Sequence, residues 1–180
     1  MVAVAGAGLL LFAAAGCATA PEPVQTSTVP TAAPVFASDE EALAAATEAY
    51  ANYLALSSAI AHAGGNDAQR ISEVTTGEAL DTEIQSMERL SEAGTTGVGE
   101  LKFDTFTIQS AELSSGSVSA YVCLDVSATD VVDATGTSVL TGDRRERLPL
   151  EIAFIYDDES RQLLLERTRT WDGESFCSPQ

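Results

Sequence analysis

From Leu43 onward the apolar and small residues recur at three- and four-residue steps: Leu43, Ala46, Tyr50, Tyr53, Leu54, Ser57 and Ile60 or Ala61. That spacing puts them on one face of an α-helix turned toward a core. Ser38 ahead of Asp39, Glu40 and Glu41 offers an N-cap with acids in the first turn, where the helix dipole favours them, and Gly64-Gly65 stops the run. A short second helix is predicted from Asn66-Asp67 to about Val74, burying Ile71 and Val74. Thr75 followed three residues later by Glu78 fits a capping box. A third helix then carries Leu80, Ile84, Met87 and Leu90 or Ser91 on its apolar face and ends at Gly94-Thr95-Thr96-Gly97.

After Gly99 the period changes from helical to two. In Leu101 to Ile108 the apolar parity switches between Phe103 and Phe106, which predicts a β-bulge and a bend in the first strand. Val118, Ala120, Val122, Leu124 and Val126 alternate with Ser119, Tyr121, Cys123, Asp125 and Ser127, so the second strand has one buried face and Cys123 lies on the other. Asp133-Ala134-Thr135-Gly136 is a turn signal between Val131-Val132 and Val139-Leu140, as at the tip of an extended hairpin. Leu148, Leu150, Ile152, Phe154 and Tyr156 mark a third strand. Asp157 to Ser160 turns into a last strand from Gln162 to Trp171, with a tail returning to Cys177. The predicted class is α+β: three N-terminal helices on a curved antiparallel sheet of about four strands.

The residues before Ser38 have a different composition. Leu9-Leu10-Leu11-Phe12-Ala13-Ala14-Ala15-Gly16 is uncharged and ends in small residues directly before Cys17. This stretch resembles the lipobox of bacterial lipoproteins. The resemblance implies that residues 1–16 are a lipoprotein signal peptide, that Cys17 becomes the first mature residue and carries the acyl groups, and that the remainder sits on the extracytoplasmic face of the cell membrane. Met1 to Gly6 holds no Lys or Arg, which places the expected basic n-region upstream. As a helix the apolar stretch would span about 24 Å, short of the roughly 30 Å hydrocarbon core. From Cys17 to Ala37, Pro21, Pro23, Pro30 and Pro34 stand among Thr, Ser and Ala, a composition that favours an extended tether over a core. Residues 38–180 form the expected single domain.

Charge narrows the set of partners. Nine basic residues against 27 acidic ones give a net charge of −18, which repels nucleic acid and anionic headgroups. The arginines crowd the last quarter, Arg144, Arg145, Arg147, Arg161, Arg167 and Arg169, beside Glu146, Glu151 and Glu166, where ion pairing is expected. With Cys17 lipidated, Cys123 and Cys177 remain, 54 positions apart, and an oxidising compartment lets them form a disulfide. A metal site would need a CxxC or nearby His ligands, and the single histidine is His62, so neither metal nor cofactor is expected. No GxSxG motif, phosphate-cradling glycine loop or heptad seam occurs.

Three helices followed by a curved sheet, the Tyr121-Val122-Cys123-Leu124-Asp125-Val126 strand and the Trp171 to Cys177 segment resemble the NTF2-like family, also called cystatin-like or SnoaL-like, and within it the lipoproteins of actinobacterial type. The resemblance implies a cone-shaped fold whose members include enzymes, ligand binders and non-catalytic subunits. It directs attention to Tyr50, Tyr53, Asp104, Tyr121, Asp125, Arg167, Arg169 and Trp171 as a candidate pocket or sheet face, with Glu151 among them if the registers align. Acids alternating with arginines across strands also form an ordinary salt ladder. The expected function is therefore a non-catalytic, lipid-anchored module that binds an envelope protein or a small ligand, and the resemblance allows a homodimer paired through the sheet. The alternative is a SnoaL-like enzyme using Asp125 or Asp104 as general base on an apolar substrate.

Overall fold

The computed structural model of the chain describes residues 33–177. The leader, Cys17 and the tether as far as residue 32 lie outside the described residues, as do residues 178–180. Helix α1 (Asp39–His62) begins at Ser38, whose Oγ accepts from the Glu41 amide at 3.2 Å, while the Glu41 carboxylate accepts from the Ala37 amide at 2.7 Å. This reciprocal capping satisfies donors that a helix start leaves open. The buried stripe runs through Ala42, Ala46, Tyr50, Tyr53, Leu54, Ser57 and Ile60; Leu43, expected on it, is exposed, and Ala42 occupies the inward position.

The second helical segment is a six-residue 3-10 helix (Ala68–Glu73), preceded by Asp67 in the left-handed region at φ 59° and anchored by the fully buried Ile71. Helix α2 (Gly77–Ala93) follows, so the protein has two α-helices and a short 3-10 helix where three helices are predicted. The capping box expected at Thr75 does not form. The Thr75 hydroxyl donates to the Ile71 carbonyl at 2.8 Å, and Thr76 takes the N-cap position without a side-chain bond. Thr75 is occupied by tertiary pairing instead, for it bridges Leu165 of the last strand, with Leu165 N donating to the Val74 carbonyl and Thr76 N to that of Leu165. Gly94 ends α2 at φ 63°, with Thr95 N donating back to the Leu90 carbonyl.

Two sheets follow. Strands β2 (Lys102–Glu112), β3 (Ser117–Asp125), β5 (Arg147–Asp157) and β6 (Gln162–Thr170) form a curved antiparallel sheet in the order β2-β3-β5-β6. Strands β1 (Thr96–Val98) and β4 (Asp130–Val132) pair in a small sheet that the hydrophobic pattern does not foretell. The register of β2 on β3 slips between Asp104 and Thr107, where Thr105 has φ 54°, which is the bulge predicted from the parity switch; a second slip follows between Ile108 and Ser110. Val118, Ala120, Val122, Leu150, Ile152, Phe154, Leu163 and Leu165 line the inner sheet face and share one core with α1, the 3-10 helix and α2. Phe36, at the end of the predicted tether, belongs to that core and meets Tyr156 edge-on with ring centroids 6.3 Å apart.

Candidate functional site

The sheet separates the candidate residues into two groups. On its inner side, Tyr50 of α1 is buried against Phe103 (5.0 Å between ring centroids), Tyr53 (5.7 Å) and Phe106 (6.2 Å). The β2 bulge brings both phenylalanines to this side, and the rings fill the space between helix and sheet. Tyr53 Oη donates to Glu83 Oε1 at 2.8 Å and Ser57 Oγ to Glu83 Oε2 at 3.0 Å. Burial first and the Glu83 charge second push the Tyr50 and Tyr53 hydroxyls well above the ordinary phenol range, so both remain protonated. Glu83 has no distinguishing sequence signal: it is one acid among several on α2, and only the fold places it below two hydroxyls.

On the outer side, register aligns Tyr121 with Glu151 and Glu151 with Arg169, while Arg167 stands opposite Ala153. Tyr121, Asp125, Glu151, Arg167, Arg169 and Trp171 therefore share a face, as the alternation predicts. Their contacts are local. Arg167 lies 3.9 Å from Glu151, and Arg169 reaches Glu78 at the start of α2 at 3.4 Å. The Tyr121 ring meets Trp171 at 5.0 Å and Phe176 at 5.7 Å, and its hydroxyl accepts from Gln109 Nε2 at 2.7 Å. The tail after β6 thus folds back over Tyr121. It carries Cys177, which forms a disulfide-compatible pair with Cys123 at a Cα separation of 5.5 Å.

Asp104 and Asp125 converge on Arg147, which was not among the candidate residues. Its Nη2 donates to both Asp104 carboxylate oxygens at 2.8 and 2.7 Å, and its Nη1 to Asp125 Oδ2 at 3.1 Å. The signal for it was present in the alternation Arg147, Pro149, Glu151, which puts Arg147 opposite Asp125. The Arg147 hydrogen bond holds the Asp104 carboxyl below the usual carboxylate range; Asp125 is lowered first by Ser127 and then by Arg147. Carboxylates held in this way are poor proton acceptors near neutral pH, where a general base works best with a raised pKa.

An open groove adjoins the inner aromatic group at Phe103. It has a volume of about 630 Å³ and lies between α1 and the start of β2, lined by Ala51, Leu54, Ala55, Leu101, Lys102 and Phe103 among others. His62, the only histidine, closes one end, with Nε2 2.8 Å from the Gly99 carbonyl. Among the described residues no three His, Cys, Asp or Glu side chains converge as metal ligands, and no helix is long and apolar enough to cross a membrane.

No protein-family model matches the chain, and no curated protein matches it. Among solved structures, the chain is similar to the intermembrane space region of the chloroplast protein ARC6, with a TM-score of 0.51, 11% identity, and coverage of 69% of this chain and 92% of that one. Two chains from Catenulispora acidiphila, one of them in complex with S-DNPA, each give a TM-score of 0.45 at 10% and 11% identity, covering 71% of this chain and 88% and 90% of theirs. At such identities the likeness to the ARC6 region concerns the fold alone, an arrangement of helices followed by a curved four-stranded antiparallel sheet.

Proposed function

We propose that the protein is a lipid-anchored extracytoplasmic module of the NTF2-like kind, held to the membrane through an acylated Cys17, which binds a small ligand or an envelope protein and does no chemistry on it. The observation that carries this reading is the partnership of Cys123 with Cys177. Of three cysteines it leaves Cys17 alone, directly after an apolar, small-residue run. A disulfide-compatible pair in a small domain also accords with an oxidising compartment. The non-catalytic part is supported by the two candidate acids, which are engaged by Arg147, and by the aromatic side chains that fill the space beside Tyr50.

The test is to express the gene with its native upstream region in a bacterial host and analyse the membrane fraction. Mass spectrometry is expected to find Cys17 as the N-terminal residue with a diacylglyceryl adduct, and Cys17→Ser is expected to move the protein from the detergent phase to the aqueous phase. An unmodified Cys17 within an uncleaved chain would end the reading.

A further inference from the structure

The outer face of the four-stranded sheet holds two residues buried where the core does not reach. Cys123 and Pro149 are cross-strand partners, and their neighbours Val122 and Leu150 point into the core, so strand alternation turns Cys123 and Pro149 away from it. Both are nonetheless fully buried. Over them lies the segment that follows β6, with Cys177 on Cys123, and Trp171 and Phe176 on the neighbouring Tyr121. The tail therefore roofs a floor made of Tyr121, Cys123 and Pro149, with Asp125 and Arg147 paired in the next row of the sheet.

This roof is attached differently from the rest of the fold. The sheet ladder is complete without it, since its last pair is Leu150 with Thr170. Past the Trp171 amide, which donates to the Pro149 carbonyl, the hydrogen bonds of the tail among the described residues are internal. Trp171 Nε1 donates to the Glu174 carbonyl at 3.2 Å and Cys177 N to Ser175 Oγ at 3.3 Å. Gly173 permits this turn, because a Cβ there would sit 2.5 Å from Trp171 Nε1. What ties residues 172–177 to the sheet is thus one link between sulfurs and the ring contacts on Tyr121. Such a segment opens locally while the core stays folded. Asp172 to Ser175 are exposed and Cys177 is partly exposed, whereas Cys123 is not exposed at all, so a reagent in solvent approaches from the Cys177 side.

We propose that Cys123 and Cys177 form a thiol-exchange site whose substrate is a dithiol reductant, and that reduction lifts the tail from Tyr121, Cys123 and Pro149. One thiolate of the reductant bonds to the Cys177 sulfur, the link to Cys123 breaks, and its electron pair leaves on Cys123, which takes a proton from solvent. The second thiolate of the reductant attacks the first sulfur in the mixed disulfide and releases Cys177, which is protonated in turn. The dithiol ends as a disulfide and the two cysteines as thiols. In the oxidising compartment proposed above the roof rests closed. The inference goes beyond the anchoring and binding roles and holds with or without an acylated Cys17.

The experiment uses the full chain carrying Cys17→Ser, in which Cys123 and Cys177 are the only cysteines. Dithiothreitol is the probe, added without denaturant, followed by iodoacetamide and mass spectrometry of the peptides. Both cysteines are expected to be alkylated, Cys123 included, while the far-UV circular dichroism is retained. In the unalkylated reduced protein the emission of Trp171, the only tryptophan, is expected to shift to the red, and oxidised glutathione is expected to reverse the shift. Phe176→Ala removes one ring contact and leaves the sulfur link, so its oxidised form is expected to keep the closed-state emission. Cys177→Ser is expected to give alkylation of Cys123 with no reductant, which separates uncovering of the floor from attack on the disulfide. Reduction only in denaturing urea, a reduced protein whose Cys123 resists alkylation and whose emission is unchanged, loss of the circular dichroism along with the tail, or an emission shift that oxidised glutathione does not reverse would overturn the proposal.

Discussion

Arg147 shows what one side chain does for two strands. Its guanidinium bridges Asp104 of β2 and Asp125 of β3, two carboxylates that lie diagonally across adjacent strands, Asp104 opposite Cys123 and Asp125 opposite Lys102. Both carboxyls are held below their ordinary value, so their contribution to stability is present above about pH 4, the unfolded-state value, and is lost as the pH falls through the lower folded-state value. Arg147→Met is therefore expected to lower the melting temperature at pH 7, with the gap to the natural chain narrowing below about pH 4; thermal melts between pH 3 and 7 test this. A gap of constant width would show that Arg147 acts through packing. A second residue-scale expectation concerns Gly65, at φ 78°, where a Cβ would sit 2.0 Å from the Met87 carbonyl oxygen. Gly65→Ala forces α1 and α2 apart and is expected to cost about 2 kcal/mol or more in urea unfolding, since positive-φ strain and a backbone clash act together. Helix termination at Gly64-Gly65 was legible in the sequence. The close approach to Met87 was not, because nothing local encodes which carbonyl passes overhead.

Elements were legible where one periodicity ruled and obscure where tertiary pairing intervened. The β2 bulge could be read because Phe103 and Phe106 both need the core and strict alternation denies it to one of them. The Thr75 cap could not, since the competing strand bridge comes from Leu165, 90 residues away. β1 and its pairing with β4 escaped because a three-residue strand has too few positions to display a period, whereas the Val131-Val132 arm was readable from the turn at Asp133 to Gly136, across which Val139 N donates to the Val131 carbonyl. The tail after β6 offers the clearest test at this scale. Past the Trp171 amide, which donates to the Pro149 carbonyl of β5, the described tail is held by Cys177 on Cys123 together with Trp171 and Phe176 on Tyr121. Closing a 54-residue separation contributes roughly 4 kcal/mol by loop entropy, so Cys177→Ser is expected to lower unfolding stability by about that amount. Trp171 is the only tryptophan, which makes its emission a local reporter of the tail. Cys177→Ser is expected to shift that emission to the red before the cooperative unfolding transition, with proteolysis between Asp172 and Phe176 appearing in parallel. Unchanged emission would mean that the aromatic contacts hold the tail without the sulfur link.

For the whole molecule, the charge distribution decides between two opposite responses to salt. The ion pairs of Arg147, Arg167 and Arg169 are attractive and would weaken on screening, but the last two are partly or largely exposed and such pairs contribute little. Against them stands a net charge of −18, and Glu22 is the only charged residue outside residues 33–177, so nearly all the repulsion arises within that range. Raising the ionic strength from 0.01 to 0.1 M shortens the Debye length from about 30 to about 10 Å, which removes repulsion between distant acids while contacts under 4 Å are affected far less. Net repulsion therefore dominates, and the melting temperature at pH 7 is expected to rise over this range of sodium chloride. A fall would mean that the pairs around Arg147 and β6 outweigh the global term. The same excess was legible from composition alone, whereas which acids are paired, Asp104 and Asp125 on Arg147, required the register of three strands.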